Sequence, residues 1–126
     1  MPAAQDSSAA LPRFGRMADG PAAPAAPPGG ESFLTLAAAG GARVERIASR
    51  AHADPPGRWY DQEGDEFVLL LAGAARLGFA DGTERALRPG DWAVIPARCR
   101  HRVAWTDPEA ETLWLAVHLP PSTLPA

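Results

Sequence analysis

The chain has 126 residues, of which 46% are hydrophobic and 21% charged, with 12 basic side chains against 15 acidic ones. That length is one domain's worth, and the formal charge of −3 speaks against a dedicated nucleic-acid binder, which would carry a strongly basic surface. No apolar run approaches the roughly 18 residues of a membrane span, no basic and then apolar leader follows Met1, and the single cysteine, Cys99, excludes an internal disulfide framework.

Cytoplasmic residence without a membrane or nucleic-acid partner is therefore the expectation. All 12 basic side chains are arginines. With no lysine, Schiff-base chemistry on a lysine amine is excluded.

Residues 1–30 hold six prolines and the run Pro21 to Gly30, which is almost entirely Pro, Ala and Gly. Such a stretch buries too little apolar surface to offset its ordering entropy. A disordered arm of polyproline character is expected over 1–30, then a folded unit over 31–119 and a short tail over 120–126.

The folded unit reads as β throughout. Phe33 to Ala39 is bounded by Gly40-Gly41, and Val44 to Ser49 is a second short run. Phe67 to Leu71 is an apolar segment of strand length ending at Ala72-Gly73. Ala75 to Phe79 and Thr83 to Leu87 flank Asp81-Gly82, a hairpin signal of the type I′ kind. Trp92 to Ile95 is stopped by Pro96, and His101 to Trp105 and Thr112 to Leu119 are separated by the turn-forming Thr106-Asp107-Pro108-Glu109. Strands of roughly five residues at roughly ten-residue spacing predict a β-sandwich or barrel.

Two segments carry candidate chemistry. In the first, Glu66 opens an apolar strand and Gly73 closes it, with Tyr60 and Gln62 shortly before. In the second, Gly90-Asp91 starts a strand, Pro96 ends it, and His101 follows. Glu66, six residues and Gly73, together with Gly90, Pro96 and His101 at their spacings, resemble the two signature motifs of the cupin superfamily. The resemblance spans about residues 42–119 and implies an all-β jelly-roll barrel, the double-stranded β-helix. The combination of Trp59 to Gln62, Ile95 to Ala97 and Arg100 to Val103 also resembles a bacterial group of small single-domain cupins. The departures are informative. Tyr60 and Gln62 stand where the family has its two motif-1 histidines, Arg98 stands where glycine is usual, and Trp105 where asparagine is usual.

A typical cupin holds Fe, Mn, Ni, Zn or Cu through three histidines and one glutamate inside the barrel. Carried over position by position, the implied metal set here is Tyr60, Gln62, Glu66 and His101, with Glu66 and His101 as the catalytic candidates. An amide oxygen and a neutral phenol are weak ligands for a late transition metal. A small polar molecule in the cavity is the expected ligand. The chemistry stays open between a metal-dependent enzyme of dioxygenase or isomerase type and a metal-free sensor or binding module. A third reading makes Glu66 and His101 a metal-free acid–base pair. The resemblance also implies a homodimer.

Around these candidates, Cys99 is read as packing and His118 as either a cavity residue or a rim residue. His52, just before the turn Asp54-Pro-Pro-Gly57, is expected to be exposed. Asp61 and Asp65 alternate away from the cavity face. Of the four tryptophans, Trp59 is the best placed to line a pocket.

Overall fold

The computed structural model describes residues 11–18 and 24–121. They form eight β-strands, all paired antiparallel: β1 (Glu31–Ala39), β2 (Ala42–Ser49), β3 (Glu66–Ala72), β4 (Ala75–Phe79), β5 (Glu84–Leu87), β6 (Trp92–Ile95), β7 (His101–Thr106) and β8 (Thr112–His118). Five strands make one sheet in the order β1-β2-β8-β3-β6, and three make the other in the order β5-β4-β7. From β5 to β8 consecutive strands alternate between the sheets, as in a jelly roll. Among the described residues no helix is long and apolar enough to cross a membrane.

The period-2 alternation of a strand sets the two faces of the larger sheet. Val68 and Leu70 of β3 point inward with Trp114 and Ala116 of β8. They meet Ala75 and Leu77 of β4, Leu87 of β5 and Ile95 of β6 to form the core. Outward, Phe67 of β3 stacks on Trp92 of β6 with ring centroids 6.1 Å apart. Trp92 and Val94 stay largely exposed, so this outer face keeps an uncovered apolar strip.

The β4–β5 hairpin forms where the sequence places it, but its turn differs from the expectation. A type I′ turn needs positive φ at both central residues. Here Asp81 does not have it, and Gly82 alone is left-handed, with φ 91°. Gly82 N–H donates to the Phe79 carbonyl at 2.9 Å, and the Asp81 carboxylate accepts from the Thr83 amide and hydroxyl at 2.9 and 2.7 Å. Those side-chain bonds hold Asp81 outside the left-handed region.

Of the N-terminal arm, residues 1–10 and 19–23 lie outside the described residues, as do 122–126 of the tail. The described arm carries no strand or helix of its own. One point of it is nevertheless packed: Ala26 is buried against Ala48 and Leu113 on the outer side of the larger sheet. The cause is Arg46 of β2, fully buried there, whose guanidinium donates to the carbonyls of Met17 and Pro24. Glu111 stands 4.0 Å from the guanidinium and accepts the Ala26 amide at 3.0 Å. Nε and Nη1 make these bonds while the buried Nη2 makes none, and an arginine tied in this way is a strap, since breaking it strands a charge. Arg46→Met is expected to speed hydrogen exchange at the Ala26 amide by at least about tenfold. Unchanged protection of that amide would show that Arg46 does not hold the arm.

Candidate functional site

The cavity lies between the two sheets and has a volume of about 300 Å³. Cross-strand register builds its polar wall. Arg43 of β2 pairs with His118 of β8, His118 with Glu66 of β3, and Glu66 with Ile95 of β6. One row of the sheet therefore presents a guanidinium, an imidazole and a carboxylate to the interior. Glu45, two residues along β2 from Arg43, joins them.

The second motif supplies the opposite side. Pro96 ends β6, and the chain turns through Arg98, which adopts φ 63°. This left-handed conformation is costly for a side chain with a Cβ and explains physically why glycine is usual at this point of the motif. The Arg98 amide donates to the Gln62 carbonyl at 2.8 Å, pinning the two motifs together. The guanidinium lies 3.3 Å from Asp61 and 3.6 Å from Glu63, exposed pairs of small energetic weight.

His101 opens β7. Its amide and carbonyl exchange hydrogen bonds with Tyr60 at 3.2 and 2.8 Å, and the two rings stack with centroids 5.5 Å apart. Tyr60 makes only this isolated bridge. The segment holding Tyr60 and Gln62 is thus not a strand, contrary to the alternation read from the sequence. Pairing at His101 and Arg98, not a strand's own pleat, turns both side chains to the cavity.

All four sequence-derived candidates, Tyr60, Gln62, Glu66 and His101, line the same cavity. The innermost contact is between Glu66 and His101, whose side chains are 8% and 6% exposed, with Oε1 3.3 Å from Nε2. His101 Nδ1 sits 2.8 Å from the Cys99 carbonyl, which can only accept, so Nδ1 carries a hydrogen. Nε2 then faces the carboxylate, and two acceptors do not face each other without a proton or a cation between them. Burial lowers the pKa of His101, but the hydrogen bond to Glu66, the Cys99 carbonyl and the negative charges of Glu66 and Asp54 outweigh it. The net direction is upward from the ordinary value.

Glu66 also faces His118, with Oε2 3.8 Å from Nδ1, and the other His118 nitrogen lies 3.0 Å from Glu45 Oε1. Glu45 Oε2 is in turn 3.7 Å from Arg43 Nε. Bases and acids thus alternate along the wall as His101, Glu66, His118, Glu45 and Arg43. His118 is a cavity residue, which decides one of the alternatives left by the sequence. Tyr60 stands beside this line, its phenol pushed up to about 12, first by burial and then by the charges of Asp54, Glu31 and Glu66.

The donor chemistry fits a tightly held transition metal poorly. Glu66 and His101 are strong ligands, while the Gln62 amide oxygen and a phenol that stays protonated are weak ones. Among the described residues, the trio of His, Cys, Asp and Glu donors lying within 4.8 Å of one another is Glu31, His52 and Asp54, which includes neither Glu66 nor His101.

Trp59 lines a pocket as the sequence reading expects, a smaller one beside Tyr60, with the Arg102 guanidinium 6.0 Å from its ring centroid; the tryptophan of the cavity itself is Trp114. Other candidates fall differently. His52 is largely buried rather than exposed, because it folds back between Glu31 and Asp54. Arg43 and Glu45 were missed. The available signal was the alternation Arg43, Glu45, Ile47, Ser49, which sets polar residues on the face that Ile47 shares with the core. Asp61 and Asp65 point outward as expected, Asp65 accepting the Ala97 amide at 2.9 Å.

Comparison with known proteins agrees with this geometry. The Cupin domain family matches residues 50–118. A Ralstonia eutropha JMP134 protein of known structure, provisionally named a mannose-6-phosphate isomerase, is 44% identical, with 86% of this chain and 99% of that one covered and a TM-score of 0.76. A cupin superfamily protein from Desulfitobacterium hafniense DCB-2 is 21% identical over 75% of this chain and 82% of its own, with a TM-score of 0.63. A cupin-2 domain protein from Shewanella frigidimarina NCIMB 400 is 17% identical, covers 71% and 79%, and has a TM-score of 0.56; these last two likenesses concern the fold alone. A search of curated proteins gave no match. With the jelly-roll topology, the spacing of both motifs and the family match in agreement, the chain belongs to the cupin family.

Proposed function

We propose that the protein binds a small polar molecule in the barrel cavity and exchanges a proton with it through the Glu66–His101 pair. The observation that carries this reading is that pair itself, buried on both sides and opening onto a cavity of about 300 Å³. A carboxylate and an imidazole in a barrel interior are costly unless paired. The rest of the wall supports an amphiphilic ligand, with Val68 and Ile95 beside Glu66 on the larger sheet and Leu77 and Val103 on the smaller one.

The Nδ1 bond to Cys99 fixes the imidazole so that Nε2 alone gives or takes a proton. A carboxylate and an imidazole a hydrogen bond apart can relay a proton between neighbouring carbons of a hydroxy-carbonyl compound. The name given to the Ralstonia protein points to the same class, so sugar phosphates are the first compounds to try. Arg43 is the cavity cation available to a ligand anion.

The test is thermal-shift and NMR titration of the wild type with sugar phosphates, sugars and small hydroxy acids, repeated on Glu66→Gln and His101→Ala. Each variant is expected to weaken binding of any hit by at least about tenfold, the weight of one buried charge-assisted hydrogen bond. Hits unaffected by both variants would place the ligand elsewhere. A second reading, favoured by the 3.3 Å between Glu66 and His101, is a loosely held divalent Fe, Mn, Ni, Zn or Cu ion. It expects ion uptake that both substitutions abolish.

A further inference from the structure

A second group of side chains meets outside the Glu66–His101 pair. Glu31 opens β1, while His52 and Asp54 lie on the segment after β2. His52 Nε2 is 2.9 Å from Asp54 Oδ1 and 3.4 Å from Glu31 Oε1. The three side chains are 17%, 11% and 7% exposed, in the order His52, Asp54, Glu31.

Each member is held from behind. Glu31 Oε2 accepts the Ser49 hydroxyl at 2.6 Å, and Ser49 Oγ itself accepts the buried Trp114 indole N–H at 3.1 Å. Asp54 Oδ2 accepts the Val103 amide at 2.8 Å. The backbone of His52 is clamped by Thr106 Oγ1, which accepts its N–H at 2.7 Å and donates to its carbonyl at 2.8 Å. One oxygen of each carboxylate is thus bound to the scaffold and the other is turned toward the imidazole. Such outer support orients ligands and is what a working metal site requires.

The charge is unbalanced. Two carboxylates face one imidazole, and the Arg102 guanidinium donates to the Asp54 carbonyl oxygen and not to its carboxylate. A dication between the carboxylates would balance that charge.

We propose that Glu31 Oε1, His52 Nε2 and Asp54 Oδ1 form a binding site for a divalent first-row transition ion of the Mn²⁺ or Zn²⁺ kind. The mixed set of one nitrogen and two oxygens suits such an ion better than Mg²⁺ or Ca²⁺, which take oxygen, or Cu⁺, which takes sulfur. On binding, the ion takes the lone pair of His52 Nε2 with the ring hydrogen on Nδ1, and an imidazolium would release its Nε2 proton to solvent. Three protein donors leave further positions for water. Because Glu31 also lines the cavity, one of those positions is within reach of a molecule bound there. The site stands independently of the function proposed for Glu66 and His101. The competing account is a purely structural clasp, in which a protonated His52 ties the start of β1 to the segment after β2.

The test uses the full chain, without a tag, stripped by chelator and dialysed separately against Zn²⁺ and Mn²⁺, with bound metal measured by elemental analysis. The expected result is one ion per chain, with affinity reduced at least about tenfold in His52→Gln and in Asp54→Asn and unchanged in the double variant Glu66→Gln/His101→Ala. Wild-type protein that takes up neither ion overturns the proposal. So does an ion that survives both His52→Gln and Asp54→Asn, or one lost from the Glu66/His101 double variant alone. Should the trio variants unfold, the ¹⁵N shift of the His52 imidazole in wild-type protein decides. Zn²⁺ should move its Nε2 resonance, and a resonance that does not move under saturating Zn²⁺ overturns the proposal.

Discussion

Replacing Gly73 by alanine is expected to lower the unfolding free energy by about 2–4 kcal/mol, one of the two largest effects foreseen for a single substitution here. Gly73 follows β3 with φ 84°, and a Cβ built on it would run into Thr112 Oγ1 and come within 2.6 Å of Thr112 Cα. The left-handed backbone accounts for about 1 kcal/mol of the cost. Overpacking against a main-chain atom supplies the rest, because Thr112 opens β8, is fully buried, and bonds back to Ala74 through its hydroxyl. The chain leaves the larger sheet here for the smaller one and must pass flush against β8. Gly82→Ala is the control. Its φ is 91° with nothing within 4 Å of the added Cβ, so it isolates the backbone cost of about 1 kcal/mol. Urea unfolding of both variants checks the prediction. Equal losses would mean that packing against Thr112 is not what demands a glycine at 73.

The same position shows why the fold was legible. Gly73, seven residues after Glu66, and the Gly90, Pro96, His101 series each mark a backbone event: a flush crossing between sheets, a turn, a strand end. Such events constrain residue type locally, so a single sequence exposes them. Strand positions followed from apolar runs bounded by turn residues, and their ends shifted by only one or two residues. Turn geometry was less legible, because Asp81 is held by side-chain bonds to Thr83 that composition does not reveal.

The candidate site was legible to the extent that it follows the chain. Glu66 and His101 emerged from motif spacing. Arg43, Glu45 and His118 join them only through cross-strand register, which a linear reading does not supply. Glu31, His52 and Asp54 are harder still, since the strand ladder between β1 and β2 and a loop that folds inward bring them together. His52, beside a Pro-Pro-Gly turn, resembles any exposed loop residue until Thr106 is seen to clamp its backbone. The tryptophans follow the same rule. Trp59 is next to Tyr60 in sequence, yet Trp114, carried in by β8, is the one at the cavity wall.

The alternating wall has a consequence for how the site tolerates change. His101→Ala is expected to cost about 3 kcal/mol at pH 6, because it leaves the buried Glu66 carboxylate with only His118, 3.8 Å away. Glu66→Gln is expected to cost less, about 1–2 kcal/mol, since the new amide can donate to His101 Nε2 once the imidazole gives up its proton. pH separates this account from simple packing loss. The folded imidazole has a raised pKa, so its proton stabilises the native state fully below the unfolded value of about 6.5. That contribution is lost as pH rises through the folded pKa. The penalty for His101→Ala should therefore shrink as the pH is raised from 6 toward 9, as the wild type loses what the variant never had. In Glu66→Gln the two contributions of Glu66 vanish, burial weighs more heavily, and the His101 titration seen by NMR should move downward. Urea unfolding at several pH values and the imidazole titration check both statements. A His101→Ala penalty that does not vary with pH would mean that the proton between Glu66 and His101 is not held by the imidazole, and the assignment of acid and base in the pair would have to be reversed.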